Sequence, residues 1–153
     1  MKKIFFILLF LNFSLLKVFA VEPDVFVQST VNRASEILTK NISQEEKIKK
    51  LKEIAQETVD IKGVGFYSLG SARKNLNDEQ KIQYFKLFED YFLKSFASRL
   101  SEYTNPEIEV FGKEVLNKNY TIVNSLLIAT TDRPEVKIDW RIYTKDPENP
   151  LIR

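Results

Sequence analysis

The sequence contains no histidine and no cysteine, and this removes most of the side chains that perform covalent or acid–base catalysis. Without histidine there is no imidazole to act as a general base or metal ligand, and every Ser-His or Cys-His nucleophile is excluded. Without cysteine there is no thiolate nucleophile, no thiolate metal site and no disulfide. The catalytic arrangement that remains possible is a pair of carboxylates.

Carboxylates are plentiful, but their positions do not predict a catalytic pair. Asp60, Asp90, Asp132 and Asp139 recur at no spacing that would bring two of them together. The chain has four glycines and no Gly-rich loop that could hold a phosphate. We interpret most acidic residues as solvated surface. The sequence therefore predicts a protein that is not an enzyme and that holds neither a metal nor a cofactor.

The first twenty residues have the pattern of a cleavable signal peptide. Lys2 and Lys3 supply a positive start, an apolar run of about 13 residues follows, and small residues precede a predicted cut after Ala20. A membrane-spanning helix needs roughly 20 apolar residues, so an anchor is the weaker interpretation. We expect export of a mature chain, residues 21–153, that forms a single domain.

Removal of the signal peptide changes the sign of the net charge. The whole chain has 23 basic and 21 acidic residues, net +2. Lys2, Lys3 and Lys17 leave with the signal, so the mature part has 20 basic and 21 acidic residues, net −1. This balance lacks the basic excess that nucleic-acid binding requires. The absence of cysteine also excludes a lipid anchor at the new N-terminus, so we expect a free protein.

Helices are predicted over the first two thirds of the mature chain. Asp24 is placed as the cap of a first helix, and Ser43 with Glu46 forms a capping box that opens a second helix, through about Asp60. Gly63–Gly70 is predicted to be a break or a short helical turn. Apolar residues of the second helix follow the helical period, opposite a face of Glu and Lys: Ile48, Leu51, Ile54, Ala55, Thr58 and Val59.

The longest predicted helix begins after Asn77, which forms a capping box with Gln80, and runs from Asp78 to about Tyr103. Twelve of its 26 positions are apolar or aromatic. This is more than the three-in-seven stripe of a helix with one buried face. We therefore expect this helix to be covered on two sides, or to have one side facing a cavity.

After Asn105-Pro106 the apolar period changes from helical to alternating. Strands are predicted from Glu107 to near Leu116, from Tyr120 to Thr130, and through Val136–Tyr143, with turns between them. Helices followed by an antiparallel meander define an α+β fold. Asn149 and two prolines form a final turn, after which the sequence reaches the first residues of another strand.

In the order and spacing of these elements, the chain resembles the MlaC family, also called the toluene-tolerance family. The residues that carry the resemblance are Asp24, Leu69-Gly70 followed by Arg73-Lys74, Glu79-Gln80-Lys81, Phe85-x-x-Phe88, Tyr103, and Val136-x-Ile138-x-Trp140-Arg141. The family has a basic residue directly after the Leu-Gly pair, where this chain has Ser71. The family also continues with a further strand and a C-terminal helix, so the resemblance implies that this chain is truncated.

The resemblance implies a periplasmic phospholipid carrier with a role in outer-membrane lipid asymmetry. Proteins of this kind hold acyl chains in an apolar cavity between sheet and helices. They move phospholipid between an outer-membrane lipoprotein complex and an inner-membrane ABC transporter complex with an MCE-domain component. We expect a monomer with these partners and with no nucleic acid.

If the resemblance holds, the cavity is lined by the inner faces of the long helix and the meander. Each acyl methylene moved from water into such a cavity gains roughly 0.8 kcal/mol. The predicted lipid-binding residues are Phe66, Leu69, Phe85, Phe88, Phe92, Phe96, Val110, Ile122, Leu126, Ile138 and Trp140. Aromatic residues at helical spacing are also typical of an ordinary core. Three basic residues could contact phosphate, contact an acidic surface of a partner, or form a solvated face. They are Arg73, Lys74 and Arg141.

The alternative hypothesis is a non-catalytic interaction module of the cell envelope, with a solid core and no lipid ligand. The lipid carrier and the interaction module predict different cavity volumes. A lipid needs a contiguous apolar space at or above the upper end of ordinary pockets, about 1,000 Å³. A packed core has few voids larger than a water molecule.

Overall fold

The computed structural model describes residues 20–153, in which helices precede an antiparallel sheet. The α-helices are α1 (Pro23–Thr39), α2 (Gln44–Thr58), α3 (Ile61–Ser68) and α4 (Asp78–Leu100), with a 3₁₀-helix at Gly70–Lys74 between α3 and α4. The strands are β1 (Ile108–Asn117), β2 (Tyr120–Leu127), β3 (Val136–Tyr143) and β4 (Leu151–Ile152). The predicted α+β class is confirmed. The predicted signal peptide lies outside the described residues, apart from Ala20, and stays a prediction.

The helix starts follow local capping rules, with one correction. Ser43 accepts a hydrogen bond from the Glu46 amide at the start of α2, and Asn77 forms a complete capping box with Gln80 at the start of α4. The prediction of Asp24 as the cap of α1 is wrong. Pro23 occupies the first turn, where its missing N–H costs nothing, and the chain enters the helix through Glu22.

The segment predicted as a break, Gly63–Gly70, is mostly helical. Asp60 accepts a hydrogen bond from the Gly63 amide at 2.8 Å and so caps α3. Gly70, at the end of this segment, has φ of +52°, a conformation that glycine adopts at little cost. The chain therefore turns directly from α3 into the 3₁₀-helix.

The expectation that α4 is covered on two sides is wrong for the described residues. α4 packs on α2 and α3, and the side chains of Ile82, Leu87 and Tyr91 on its other face are 72%, 62% and 70% exposed. Because that face has no partner among residues 20–153, the wide apolar stripe is only partly buried.

The sheet has the order β1-β2-β3-β4, with every neighbouring pair antiparallel. Side chains alternate between faces, and Val123 and Ile142 are fully buried on the face toward the helices. The register of β1 shifts between Val110 and Gly112, where an extra residue, Phe111, is accommodated by a bulge. Val59 forms an isolated parallel bridge with Ile152, which attaches the end of α2 to the sheet edge.

The buried residues form three separate clusters. One lies between α1 and the sheet around Val27 and Val123. A second joins α2, α3 and α4 around Ala55 and Leu93, and a third lies where α1, α2 and α4 meet, around Leu51. A domain of this size usually has one contiguous core. The division of this core into three clusters indicates a space between them.

No helix within residues 20–153 has both the length and the apolarity needed to cross a membrane.

Candidate functional site

An apolar pocket lies where the three core clusters meet. α1 and α2 supply one wall, the C-terminal end of α4 supplies a second, and the inner face of the sheet supplies a third. The lining consists of Thr30, Val31, Ala34, Ser35, Leu38, Leu51, Ile54, Ala55, Thr58, Val59, Phe96, Leu100, Tyr103, Pro106, Ile108, Leu127, Ile138, Trp140 and Ile152. It contains no charged side chain.

The serine and threonine hydroxyl groups in the lining are all hydrogen-bonded to the backbone. Thr30 donates to the Phe26 carbonyl at 2.9 Å, Thr58 to the Ile54 carbonyl at 2.8 Å, and Ser35 to the Pro106 carbonyl at 3.1 Å. A cavity holds water when it offers the water two to four polar partners. This lining therefore favours an apolar ligand over water molecules.

The indole of Trp140 is fixed at the sheet wall of the pocket. Its Nε1–H donates a hydrogen bond to Ser125 Oγ at 2.7 Å, and Ser125 is fully buried on the neighbouring strand. The polar edge of the ring thus has a partner within the sheet, and the apolar surface remains for the pocket.

The volume of the pocket is about 140 Å³. This is close to the 150 Å³ of an engineered apolar cavity that stays dry and binds benzene. It is far below the volume of about 1,000 Å³ that a lipid is expected to need. In this conformation the pocket is too small for a whole lipid.

A row of aromatic side chains along α4 ends at the pocket. The rings of Tyr84, Phe88, Phe92 and Phe96 follow one another at four-residue spacing, with centroid separations of 5.7, 6.2 and 5.5 Å. Residues four apart share a helix face, so the row forms a continuous strip. Of the row, Phe96 lines the pocket, so the strip reaches the pocket at its C-terminal end.

Of the predicted lipid-binding residues, Phe96, Ile138 and Trp140 line the pocket. Phe88 and Phe92 lie behind Phe96 in the aromatic row and pack on the second cluster. The structure therefore brings five of the predicted residues to the pocket or to the strip that leads into it.

The other predicted residues lie elsewhere. Val110 packs between α1 and the sheet; Phe66 stacks on Phe85 at the outer end of the aromatic row; Leu69 is at the C-terminal end of α3.

Ile122 and Leu126 lie on the face of the sheet away from the helices. On β2 the alternate residues Val123 and Ser125 are buried toward the helices, and successive side chains point to opposite faces. The lipid-binding role of Ile122 and Leu126 stays a prediction.

Sequence reasoning missed the lining contributed by α1 and α2. Leu51, Ile54 and Ala55 carry the clearest signal, since they occupy the apolar face of α2. The helical spacing of these apolar residues predicts that they are buried, but not whether they pack against another side chain or line a cavity.

The carboxylates form no cluster that could hold a metal ion within residues 20–153. Asp60 pairs with Arg153, and Asp139 accepts a hydrogen bond from Asn124 at 2.8 Å. These aspartates therefore have structural partners on separate parts of the surface.

The fold and the pocket define a class of small α+β proteins in which helices and an antiparallel sheet border an apolar space. A family model described as MlaC protein matches residues 28–152, more than half of the chain. The chain therefore belongs to the MlaC family, and the resemblance found in the sequence is confirmed. This is a family of lipid-binding proteins that are not enzymes, which confirms the predicted non-enzymatic class.

A solved structure has the same fold. The phospholipid-binding protein from Ralstonia solanacearum, in complex with a phospholipid, matches with a TM-score of 0.69 and 14% identity, over 86% of this chain and 75% of that chain. At this identity the likeness shows the fold alone.

A protein from Campylobacter jejuni described as an NTF2-like transpeptidase matches with 16% identity over 72% of this chain and 97% of that chain. Its TM-score of 0.34 is too low to support any conclusion. No curated protein sequence matches the chain significantly.

Proposed function

We propose that the protein is a phospholipid carrier that takes acyl chains into the apolar pocket between α4 and the sheet. The observation that carries this proposal is the apolar, uncharged pocket at the meeting point of three separate core clusters. Membership of the MlaC family supports it, as does the phospholipid in the Ralstonia solanacearum protein.

Burial of methylene groups supplies the binding free energy. Each methylene transferred from water gains roughly 0.8 kcal/mol, so a few groups already give a measurable affinity. No polar contact is needed at this depth, which fits a lining whose serine and threonine hydroxyls donate to the backbone.

The pocket opens by separation of α4 from the sheet. α4 packs on α2 and α3, so it can move with them while the sheet stays in register. The aromatic strip from Tyr84 to Phe96 would then become the second wall of a longer cavity.

The cellular setting is proposed on the resemblance and on the N-terminal pattern. Residues 1–20 direct export to the periplasm and are removed. The carrier then exchanges phospholipid with an outer-membrane lipoprotein complex and with an inner-membrane ABC transporter complex that has an MCE-domain component.

The small volume of about 140 Å³ favours the second candidate, an envelope interaction module that binds no lipid. The two candidates differ in whether an acyl chain can reach Trp140.

Trp140 is the only tryptophan of the chain, so it is a built-in reporter. The purified protein is incubated with vesicles of phosphatidylcholine whose acyl chains carry bromine. We expect quenching of the Trp140 fluorescence, together with a one-to-one lipid adduct in native mass spectrometry. A clean apo mass and unquenched fluorescence from folded protein would refute the carrier and leave the interaction module.

A matched pair of variants tests where the chain binds. Ile138 and Ile122 are isoleucines on adjacent strands and opposite sheet faces, and only Ile138 lines the pocket. We expect Ile138→Asn to lower lipid uptake about tenfold, since an unpaired amide in an apolar site costs about 1–3 kcal/mol. Ile122→Asn should leave uptake unchanged if the acyl chain enters the pocket, and a loss there alone would instead support the lipid-binding role predicted for Ile122 from the sequence. Equal losses would place the lipid elsewhere.

A further inference from the structure

A second depression, which we call the arginine pocket, lies beside α3 and has a volume of about 440 Å³. Its lining contains three arginines and no carboxylate: Gly63, Val64, Phe66, Tyr67, Arg73, Tyr120, Arg141 and Arg153. The arginines come from three parts of the chain, namely the 3₁₀-helix, β3 and the residue after β4. Tertiary structure therefore assembles this concentration of positive charge.

All three guanidinium groups lie over aromatic rings, and Arg153 is 3.9 Å from the centroid of Tyr143. Arg73 lies 4.8 Å above the centroid of Phe66, and Arg141 lies 4.1 Å above the centroid of Tyr120. Neither side chain forms an ion pair or a hydrogen bond with another residue of the described range, 20–153. Stacking fixes the plane of a guanidinium and leaves the N–H donors at its edge available.

The positive charge of the third arginine, Arg153, is balanced by the carboxylate of Asp60. Arg153 Nε donates to Asp60 Oδ2 at 2.8 Å, and its Nη1 donates to the Tyr120 hydroxyl at 2.8 Å. Burial alone would lower the pKa of Arg153, but the hydrogen bonds with Asp60 and Tyr120 outweigh it and raise the pKa. Arg153 therefore positions Tyr120, while Arg73 and Arg141 supply two uncompensated positive charges.

We infer that the arginine pocket binds a phosphate group. Guanidinium groups form bidentate, charge-assisted hydrogen bonds with phosphate oxygens, and two such groups balance the charge of one phosphate. Arg73 and Arg141 are the ligands, and Phe66 and Tyr120 hold them in place. The source of the phosphate is either a lipid headgroup or a free phosphate ion, and the chemistry is the same.

The aromatic row links this pocket to the apolar pocket. Phe66 stacks on Phe85, Phe85 meets Tyr84, and the row continues along α4 to Phe96. The two pockets also adjoin at the sheet, since Trp140 and Ile152 line the apolar pocket and their neighbours Arg141 and Arg153 line the arginine pocket. For a lipid source, the inference rests on the proposed function.

An acidic protein surface is the competing ligand. Such a surface is usually met by extended basic side chains that reach outward, whereas Arg73 and Arg141 are stacked on rings at the wall of a recess. The recess and the stacking favour a small group with several acceptor oxygens.

The first experiment titrates the full chain with inorganic phosphate and follows the arginine Nε–Hε signals by NMR. We expect saturable shifts for Arg73 and Arg141, and at least about tenfold weaker binding in Arg73→Gln and Arg141→Gln. Arg99→Gln removes the same charge from an exposed position on α4, outside this pocket, and should change nothing. Shifts of equal size at Arg99, or none at the pocket, would overturn the inference. Shifts with polyglutamate but not with phosphate would also overturn it and assign the pocket to an acidic protein.

The second experiment identifies the source. Uptake is measured from vesicles of phosphatidylglycerol and of digalactosyldiacylglycerol, which has no phosphate, with matched acyl chains. For a lipid source, Arg73→Gln and Arg141→Gln should lower uptake of phosphatidylglycerol only; for a free phosphate ion, they should lower neither. If the wild-type protein takes up neither lipid, the proposed function fails, while the phosphate titration still decides the arginine pocket.

Discussion

At the residue scale, a cluster of three charges connects the start of α1 to β1. Lys113 Nζ lies 2.7 Å from Asp24 Oδ1 and 2.5 Å from Glu22 Oε2. The hydrogen bond from Lys113 lowers the pKa of Asp24 below its ordinary value of 3.8. The hydrogen bonds to Asp24 and Glu22 raise the pKa of Lys113 above 10.5. Both shifts favour the ionised pair in the folded protein.

These shifts predict how the free energy of unfolding depends on pH. A lowered carboxyl pKa contributes stability that is present above pH 3.8 and is lost as the pH falls through the folded value. A raised lysine pKa contributes stability that is present below pH 10.5 and is lost as the pH rises through the folded value. The effect should be small, because the Asp24 and Lys113 side chains are each 37% exposed.

Urea denaturation at pH 2 to 7 of the wild type and Lys113→Gln measures the acid arm. We expect the variant to be less stable at pH 7 and to lose less stability on acidification. Lys118→Gln is the control, because Lys118 lies in the β1–β2 turn and forms no ion pair within residues 20–153. Parallel pH curves for the wild type and Lys113→Gln would contradict the assignment.

The same region shows why one cap could not be predicted from residue type alone. Asp24 has a favoured capping side chain, yet Pro23 before it is preorganised for the first helical turn. Asp24 is therefore drawn into the helix, where its carboxylate lies near the positive end of the helix dipole. At Asn77 no proline competes, and the predicted capping box forms.

At the element scale, the packing of α3 on α4 depends on a close approach at Gly65. A methyl group on Gly65 would lie 2.8 Å from Cδ1 of Phe88. The Phe88 ring cannot move freely, because Tyr84 and Phe92 stack on its two sides. Tyr84 also donates a hydrogen bond to the Gly65 carbonyl at 3.2 Å.

Gly65→Ala should therefore destabilise the protein. Alanine gains about 1 kcal/mol over glycine in a helix, but overpacking of this kind costs about 1–3 kcal/mol. We expect a net loss of about 1 kcal/mol by chemical denaturation. In a Phe88→Leu background, where the ring is absent, the same substitution should be neutral or stabilising. A stabilised single variant would show that the ring moves aside easily.

The start of α4 gives a second test at this scale. Asn77→Ala removes the side-chain acceptor for the Gln80 amide and should cost about 1 kcal/mol. Asn77→Asp keeps an acceptor oxygen at the same position and should retain most of the stability. Thermal denaturation of both variants checks this, and equal losses would show that the cap is not responsible.

The extent of α4 was predictable from its cap and its period, but its environment was not. A count of apolar residues measures how much surface a helix could bury, and it does not say which elements are present to cover it. Ile82 and Leu87 are apolar and exposed, since α2 and α3 occupy only the opposite side of the helix.

At the scale of the whole molecule, the alternation of the strands predicted which residues of β3 face the helices, and Ile138 and Trp140 do line the pocket. The contributions of α1 and α2 were not predictable in the same way. The apolar pattern of a buried helical face is the same whether that face packs against a side chain or borders a cavity. The separation of Leu51 from Trp140 by a pocket depends on how three clusters meet, which is a tertiary property.

If that space is kept for a ligand, the free protein is less stable than its fold permits. Ala34 on α1 lines the pocket and is the smallest side chain at that wall. Ala34→Leu adds three carbons into the space, and each buried methylene gains about 0.8 kcal/mol. After the cost of fixing the new side chain, we expect an increase of about 1 kcal/mol in the free energy of unfolding. Lipid uptake should fall at the same time.

Ala129→Leu is the matched control, since Ala129 is exposed in the loop after β2 and should affect neither property. The two readouts separate the candidate functions. A carrier gains stability and loses uptake, because the same space cannot hold both the leucine and the acyl chain. In an interaction module the same space is a packing defect, so Ala34→Leu would also raise the stability, and uptake would be absent in both variant and wild type. The change in stability therefore shows whether the space can be filled, and the change in lipid uptake decides whether that space belongs to the function or is a packing defect.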